Sequence, residues 1–312
     1  MVVYILKRLI GIVPVLVVTL IVTFGAIRAL PGDPVTVMLS DHSANVEMAD
    51  RLRAEYGLDR PVLQQFVDYS THALRGQFGF SYRYVHVPVI EVLGTGLVIS
   101  PLLALAAIFL ALPFGIIAGT FAAVHRNQFA DTAVIVILVI ALSIPDFAIA
   151  TFLVYLLCIK LGLLPVAGWG SLAQAVLPVA VLAVPSAAYI ARLSRTFMLE
   201  VLQQDYIRTL RAKGLGERLV IYRHALRNVL IPVLTQAGII FGGLLSNTFV
   251  VETIFNIPGL GRLAIESVFA RDYPVAMAVV LLFVLFFVLI NLMIDVLYAA
   301  IDPRLRARMA AA

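Results

Sequence analysis

The sequence predicts an all-α integral membrane protein with six transmembrane helices. Hydrophobic residues make up 62% of the 312 residues and charged residues only 13%, whereas a soluble domain is nearer half apolar and a quarter charged. The apolar residues come in uninterrupted runs that reach the roughly 20 residues needed to cross a bilayer as a helix. No run alternates apolar and polar residues as the strands of a membrane barrel do. These observations disfavour a soluble protein with a large core.

Six apolar runs qualify as membrane spans. Each is expected to be helical, because lipid offers no hydrogen-bond partners to free backbone groups. Prolines lie in these runs or at their ends, and each removes a backbone donor and is expected to bend its helix. The predicted spans are residues 9–28, 97–123, 132–157, 172–191, 231–251 and 275–299, and the prolines are Pro14, Pro113, Pro145, Pro178, Pro185 and Pro232.

The first apolar run is predicted to be a retained membrane anchor. Lys7 and Arg8 precede it, but the run is longer than the ~7–15 apolar residues of a signal peptide. Lys and Arg residues in short loops mark the cytoplasmic side of a membrane protein, and their distribution predicts that both termini are cytoplasmic. The predicted inner segments are residues 1–8, 124–131, 192–230 and 300–312.

Residues 29–96 are the largest polar piece and are predicted to form a small helical layer outside the membrane. Two helices are expected, at 45–56 and 62–74. The second helix carries Leu63 and Phe66 on an amphipathic stripe that would pack on the spans. The piece is too short and too polar to predict a core of its own.

A dense basic segment, DYIRTLRAKGLGERLVIYRHALRN at 205–228, interrupts the apolar sequence. Cations on an inner loop fix topology and contact anionic lipid, but this does not explain the order of the residues. Asp205 is expected to begin a short helix that Gly214 and Gly216 end, and a second short helix is expected at 217–228. Because short helices have little stability in water, we expect a soluble partner to pack against this segment.

The basic segment resembles the cytoplasmic "EAA" loop of ABC-importer permeases, and more narrowly the loop of the permeases for di- and oligopeptides, glutathione and nickel. In that family the loop forms a coupling helix that seats in a groove of an ATP-hydrolysing subunit. Arg208, Thr209 and Leu210 occupy the Glu-Ala-Ala positions, and Gly214 is the motif glycine. The resemblance implies that the ATPase-coupling residues are Tyr206, Arg208, Thr209, Arg211, Ala212, Lys213, Gly214 and Leu215.

The resemblance extends along nearly the whole chain, and it implies the type I ABC importer permease fold in a prokaryotic plasma membrane. It rests on YILKRLIGIVPVL, RALPGDP, YGLDRP, GQFGFSY, IFNIPGLGRL, ARDYPV and NLMIDVLYAAIDPRLR, which occur in the family's order. The implied divisions are the N-terminal end with the first helix at 1–28, the external segment at 29–96, a five-helix permease core at 97–302 with its coupling loop at 192–230, and a tail at 303–312.

The resemblance also implies the partners of the chain. They are a second homologous permease, two ATP-binding cassette ATPases and an extracytoplasmic solute-binding protein, with membrane lipid around them and no nucleic acid. The implied mechanism is alternating access, in which ATP binding and hydrolysis by the ATPases open the path to one side and then to the other.

The sequence lacks the motifs of an enzyme. It has no G-x-x-x-x-G-K-[ST] loop to hold phosphates and no G-x-S-x-G nucleophile elbow. Its five histidines are scattered, and a single cysteine, Cys158, excludes an intramolecular disulfide and a Cys-based metal site. We therefore expect a non-catalytic subunit with no cofactor or metal of its own, and ATP and Mg on the partner ATPases.

Three polar residues within the predicted spans are candidates for the translocation path. An aspartate at mid-bilayer costs roughly 2.5–3.5 kcal/mol on insertion scales, so Asp146 is expected either to face a water-filled path or to make a local bond at the break after Pro145. Asn247 and Glu252 lie in the outer half of the fifth span. Asn291 and Asp295 share one helix face and are expected to form interhelical hydrogen bonds.

Several functions stay open at the level of sequence. Di- or oligopeptides are the first choice of solute for the resembled family, followed by glutathione and nickel complexes. An ion-coupled secondary transporter would instead use Asp146 or Asp295 as its ion site, although the internal repeat typical of such transporters is not visible. A membrane enzyme would need a nucleophile–base or metal constellation, which is also not visible.

Overall fold

A computed structural model describes residues 2–29, 34–39 and 46–301, and the predicted tail at 303–312 lies outside these residues. The described residues form helices and no strand, which confirms the predicted all-α class. The helices are α1 (Val2–Ala29), α2 (Pro34–Met38), α3 (Val46–Glu55), α4 (Val62–Ala73), α5 (Val89–Leu93), α6 (Gly96–Val124), α7 (Phe129–Ser143), α8 (Asp146–Leu153), α9 (Leu172–Leu202), α10 (Asp205–Ala212), α11 (Glu217–Leu219), α12 (Leu226–Ile254), α13 (Leu260–Phe269) and α14 (Tyr273–Ile301), with π-helical segments π1 (Val154–Lys160) and π2 (Val220–Ala225).

Within the residues that the structure describes, five helical stretches are long and apolar enough to cross a membrane, and a sixth span results if one bent helix pair counts as a single crossing. This agrees with the predicted number. The five stretches are Gly11–Ala29, Val89–Val124, Leu172–Leu202, Glu217–Ile254 and Tyr273–Ile294, and the bent pair is Phe129–Ser143 with Asp146–Lys160.

The third predicted span, at 132–157, is not one helix. Its two halves meet at an angle of 97°, because Ile144 adopts extended backbone (φ −91°, ψ 124°) and Pro145 stands at the N-cap of α8. Proline disfavours helical backbone at the residue before it, so Pro145 ends α7 and starts a new helix. Asp146 is therefore the first residue of a helix and not part of a continuous span.

The helices that form the fourth and fifth spans are longer than predicted. Helix α9 begins at a capping box, in which Ser171 and Gln174 each accept a bond from the other's backbone N–H, and it continues to Leu202. The first part of the predicted 192–230 loop is thus helical. The short helix expected at 217–228 is not separate either, because α11, π2 and α12 run on without a break into the fifth span.

Among the described residues, one compact unit comprises 101–257 together with 289–301. Helix α9 lies at its centre and packs against α7, α8 and α12, and α8 also packs against α12. Small side chains allow the helices to approach closely. The small buried residues of α9 are Ala183, Ser186, Ala188, Ala191 and Ser194.

The other compact unit comprises residues 2–100 and 258–288. Most of the 29–96 piece belongs to it, with α3 and α4 within one residue of the predicted helices. Phe24 of α1 meets Phe66 of α4 edge to face, with ring centroids 5.4 Å apart. One buried cluster joins α5, α13 and α14 and consists of Val89, Leu93, Leu260, Val275, Ala278, Val279 and Leu282. The four-part division made from sequence stays a prediction.

A buried carboxylate joins residues 81–83 to the start of α14. Asp272 is 2% exposed. It accepts a hydrogen bond from the Ser81 hydroxyl, one from Tyr82 N (3.0 Å) and one from Arg83 N (3.3 Å). The Ser81 hydroxyl in turn accepts one from Tyr84 N (2.9 Å). Because buried donors are costly to leave unpaired, this network fixes the loop against the helix. The sequence motif ARDYPV contains Asp272 but gave no sign of this role.

We expect Asp272→Ala to destabilise this unit. The substitution leaves a buried hydroxyl and two backbone N–H groups without their acceptor, at a cost of about 1–3 kcal/mol for each group that stays dry. Thermal unfolding of the full chain in detergent, and the rate of protease cleavage within 29–96, measure the effect. Asp68→Ala is the control, since its exposed pair with Arg60 contributes little. Equal behaviour of the two variants would contradict the assigned role.

Candidate functional site

Helix α10 and the turn after it form an exposed polar segment of the compact unit that contains residues 101–257. The helix begins at Asp205, whose negative charge is favourable at a helix N-terminus, and carries Arg211 in its last turn, where a cation is favourable. After the helix, Gly214 adopts φ +76°, and its N–H bonds to Arg211 O at 2.9 Å. The predicted helix start at Asp205 and the predicted helix-ending role of Gly214 are both found.

A buried side chain and a hydrogen bond attach helix α10 to its own chain. Ile207 is fully buried, on the side where α10 packs against π2. Asn228 Nδ2 donates to the Tyr206 hydroxyl at 2.7 Å, which ties α10 to the beginning of α12. The chain itself therefore supplies an apolar contact for this short helix, and the expectation that a soluble partner also packs against it stays a prediction.

A forked ion pair closes the turn. Arg211 Nε and Nη2 donate to the two carboxylate oxygens of Glu217 at 3.1 and 2.5 Å. These bonds raise the pKa of the Arg211 guanidinium above its ordinary value, so the residue stays cationic. The pair is half exposed and so adds only modestly to stability. Its forked geometry does, however, fix the direction in which the turn leaves α10.

The remaining side chains of the segment point outward. Arg208 makes only a long contact of 3.6 Å with Asp205, and both side chains are largely exposed. Thr209 Oγ1 donates to Asp205 O at 3.0 Å, and Lys213 is exposed. All eight residues predicted to couple to an ATPase lie together on α10 and its turn. Those with exposed side chains are Tyr206, Arg208, Thr209, Arg211, Ala212 and Lys213, whereas Gly214 is exposed backbone and Leu215 is half-buried.

The three predicted path residues lie on two helices that pack against each other, α8 and α12. Asp146 is half-buried in the first turn of α8. Asn247 is exposed on α12, whereas Glu252 on the same helix is fully buried. Five residues of helix separate these two positions, so they lie on different faces. The structure thus places Asn247 on an open face and Glu252 within the helix packing.

Sequence reasoning missed the bonds that hold α10 in place. Tyr206 and Asn228 are 22 residues apart, and no local pattern pairs them. The opposite charges of Arg211 and Glu217 across a glycine turn are a local signal for their pairing. Among the residues that the structure describes, no group of three His, Cys, Asp or Glu residues is placed to hold a metal ion.

Two protein-family models match the chain, one in its N-terminal part and one in the remainder. Residues 111–307 match the family described as the binding-protein-dependent transport system inner membrane component, and residues 1–95 match the N-terminal family of the same transport membrane components. The chain belongs to this family. It is therefore a non-catalytic, multi-pass permease subunit of an ABC importer, as predicted, and the family implies ATPase partners and a partner permease.

Curated relatives are similar over nearly the full length. The chain is 41% identical over 303 residues to the glutathione transport system permease protein GsiC of Escherichia coli (strain K12) and to that of Shigella flexneri serotype 5b. It is 42% identical to the GsiC protein of Salmonella choleraesuis. In each case the alignment covers 97% of this chain and 98% of the relative.

Two solved structures share the fold. One is an inward-facing form of the MetNI methionine ABC transporter, with a TM-score of 0.57 and 21% identity over 68% of this chain and 97% of that chain. The other is an amino acid ABC transporter, with a TM-score of 0.51 and 14% identity over 67% of this chain and 93% of that chain. These similarities confirm the predicted type I importer permease fold. With the family assignment, they decide against an ion-coupled secondary transporter and a membrane enzyme.

We expect Ile207→Ala to release α10 from π2. Removing a fully buried aliphatic side chain costs about 2–5 kcal/mol, which is large for an eight-residue helix. Trypsin cleavage after Arg208, Arg211 and Lys213 should accelerate, because proteases cut locally unfolded segments. Leu219→Ala is the matched control, since Leu219 is 41% exposed. Unchanged cleavage of the Ile207 variant would show that other contacts hold the helix.

Proposed function

We propose that the chain forms half of the path through which an ATP-driven importer takes up a short peptide, with glutathione as the first candidate. The observation that carries this proposal is the 41–42% identity to glutathione permeases across 97% of the chain. The sequence alone favoured di- or oligopeptides, followed by glutathione and nickel complexes. Glutathione is itself a tripeptide and so belongs to the predicted class of short peptides. The similarity to glutathione permeases places it first among the candidate solutes.

Helix α10 is proposed to lie on the cytoplasmic side, where it docks on an ATPase. Both termini are then cytoplasmic, the 29–96 piece faces outward, and an extracytoplasmic binding protein delivers the solute there. Tyr206, Arg208 and Lys213 are exposed and are proposed as contact residues, whereas Arg211 shapes the turn through Glu217. ATP and Mg are held by the ATPases, which the family implies as partners.

One face of α12 is proposed to line the path. Thr235, Ile239, Gly243 and Asn247 recur every four residues and are all exposed, so they form one stripe along the helix. A stripe containing polar groups is costly against lipid, whereas water or a second permease would accept it. Asp146, on the neighbouring α8, is proposed to face the same path. Glu252 was also predicted to line the path, but its full burial supports a role in the packing between helices.

The proposed cycle moves this path without any chemistry in the chain itself. When ATP binding draws the two ATPases together, α10 follows the ATPase on which it docks, and the permease halves open outward to accept the peptide. Hydrolysis lets the ATPases separate, and the path opens inward. Because solute passes without covalent change, the chain needs to supply only docking residues, rigid helices and a polar wall.

We expect Gly214→Val to uncouple α10 from the ATPase, whereas Gly216→Val should be tolerated. Both sites have room for a side chain, since no atom lies within 4 Å of a built Cβ at either glycine. Only Gly214 has positive φ, however, and Gly216 has φ −61°. Left-handed backbone costs a residue with a side chain about 1–2 kcal/mol, so the native turn should be depleted roughly 5- to 30-fold.

Solute-stimulated ATPase activity and uptake in the reconstituted complex test this pair of variants. Both activities should fall in the Gly214 variant and stay near wild type in the Gly216 variant. Equal activity of the two variants would show that the left-handed turn has no part in coupling.

Vesicles with the complete complex test the function itself. We expect uptake of radiolabelled glutathione that requires ATP and the binding protein and that survives collapse of ion gradients by ionophores. Competition by unlabelled dipeptides and by nickel complexes ranks the solutes of the resembled family. Uptake by the purified chain alone, without an ATPase, would overturn the proposal.

A further inference from the structure

A forked ion pair joins the start of α7 to α9. Arg195 Nε donates to Asp131 Oδ1 and Arg195 Nη2 donates to Asp131 Oδ2, both at 2.7 Å, and Asn127 N donates to Oδ2 at 3.0 Å. The Asp131 side chain is 4% exposed and the Arg195 side chain 23%. The two residues are 64 positions apart in sequence. Both oxygens of the carboxylate are thus used, and the planar fork permits one relative orientation of the two helices.

The ion pair is poorly explained by stability alone. Taking two charges out of water costs about as much as their attraction returns, so well-packed apolar residues would hold the helices at least as firmly. Breaking such a pair is nevertheless expensive, because it leaves an uncompensated buried charge. The pair is therefore a contact with one favoured geometry.

A second contact at the same place joins α6 to α9. A Cβ built on Gly119 would lie 2.2 Å from Ala191 O, 2.7 Å from Ser194 Cβ and 2.9 Å from Arg195 N. Only glycine permits this approach, since real Cβ atoms do not come so close to backbone atoms. The backbone of α6 therefore touches α9 at the residue that holds Asp131. The C-terminal part of α6, the start of α7 and the C-terminal part of α9 therefore meet around Gly119, Asp131 and Arg195, and this junction is called the block.

The block lies between the two parts of the proposed site. Arg195 is about two helical turns before the end of α9 at Leu202, and α10 starts at Asp205. In the other direction, α7 runs from Asp131 to the break at 144–145, after which Asp146 opens α8. Helix α7 has 15 residues, so it is a rod of about 22 Å.

We propose that Asp131 and Arg195 are positioning residues that carry the movement of α10 through α9 to α7, and so to Asp146 in the path. The proposal rests on the coupling and path roles proposed above. When an ATPase displaces α10, α9 moves with it, and the fork makes α7 follow without rotating on its own. Neither residue contacts solute or nucleotide in this mechanism.

The test uses the complete complex in vesicles and measures the uptake of radiolabelled glutathione per ATP hydrolysed. If the wild-type complex takes up a dipeptide faster than glutathione, the dipeptide is the probe. Asp131→Asn removes the charge and one acceptor oxygen, whereas Arg195→Lys keeps the charge but removes the fork. We expect both variants to assemble and hydrolyse ATP, with uptake per ATP reduced about five-fold or more, the lower end of typical coupling between sites. Arg192→Lys is the matched control on α9, because Arg192 is exposed and lies over the Tyr189 ring, where a lysine also fits.

The outcomes separate this inference from the proposed function. If the wild-type complex shows no ATP-dependent uptake, the proposed function fails. If the wild type works and the Arg195 variant matches the Arg192 variant in uptake per ATP, only a positive charge is needed at position 195 and the positioning role is wrong. A parallel fall of uptake and ATP hydrolysis, or failure of the Lys variant to assemble with its partners, would also overturn it, since either result marks a purely structural pair.

Discussion

The structure depends on the need to satisfy every backbone polar group in a solvent that offers no hydrogen bonds. Lipid imposes this on each span, and it explains why the spans in the described part of the chain are helical. Where the chain does break, as at Ile144 and Pro145, a polar residue follows at once, and Asp146 begins the next helix. An interruption of this kind is tolerated where protein or water covers the freed groups.

The same constraint makes each buried polar side chain informative. Asp131 is surrounded by three hydrogen-bond donors, and Asp272 accepts bonds from three consecutive residues. Asp131 joins the start of α7 to α9, and Asp272 joins residues 81–83 to the start of α14, so each carboxylate connects segments that are distant in sequence. Exposed polar residues are arranged differently, because α10 buries Ile207 and leaves the Arg208 and Lys213 side chains exposed.

Different contacts within the α10 segment hold the helix to its chain and set the direction of its turn. Ile207 and the Tyr206–Asn228 bond hold the helix to its own chain, and the Arg211–Glu217 fork sets the turn. Since the helix is held before any partner arrives, docking does not have to provide the free energy of folding it. Under the proposed docking on an ATPase, a displacement of α10 would reach π2 and α12, to which the helix is attached.

The sequence by itself determined the membrane class, the number of spans, the start of α10 at Asp205 and the turn at Gly214, because these follow from local composition and from which residues tolerate a given backbone. The resemblance along the chain determined the family for the same reason, since it is carried by short motifs in order. Tertiary structure alone decided the break of the third span into two helices at 97°, the continuation of α9 to Leu202 and the merging of 217–228 with α12. It also decided that Arg195 belongs to Asp131, that Asp272 holds residues 81–83 and that Glu252 is buried. These features depend on residues that are far apart in sequence, and nothing in a single sequence specifies which distant charges and surfaces the folded helices bring together.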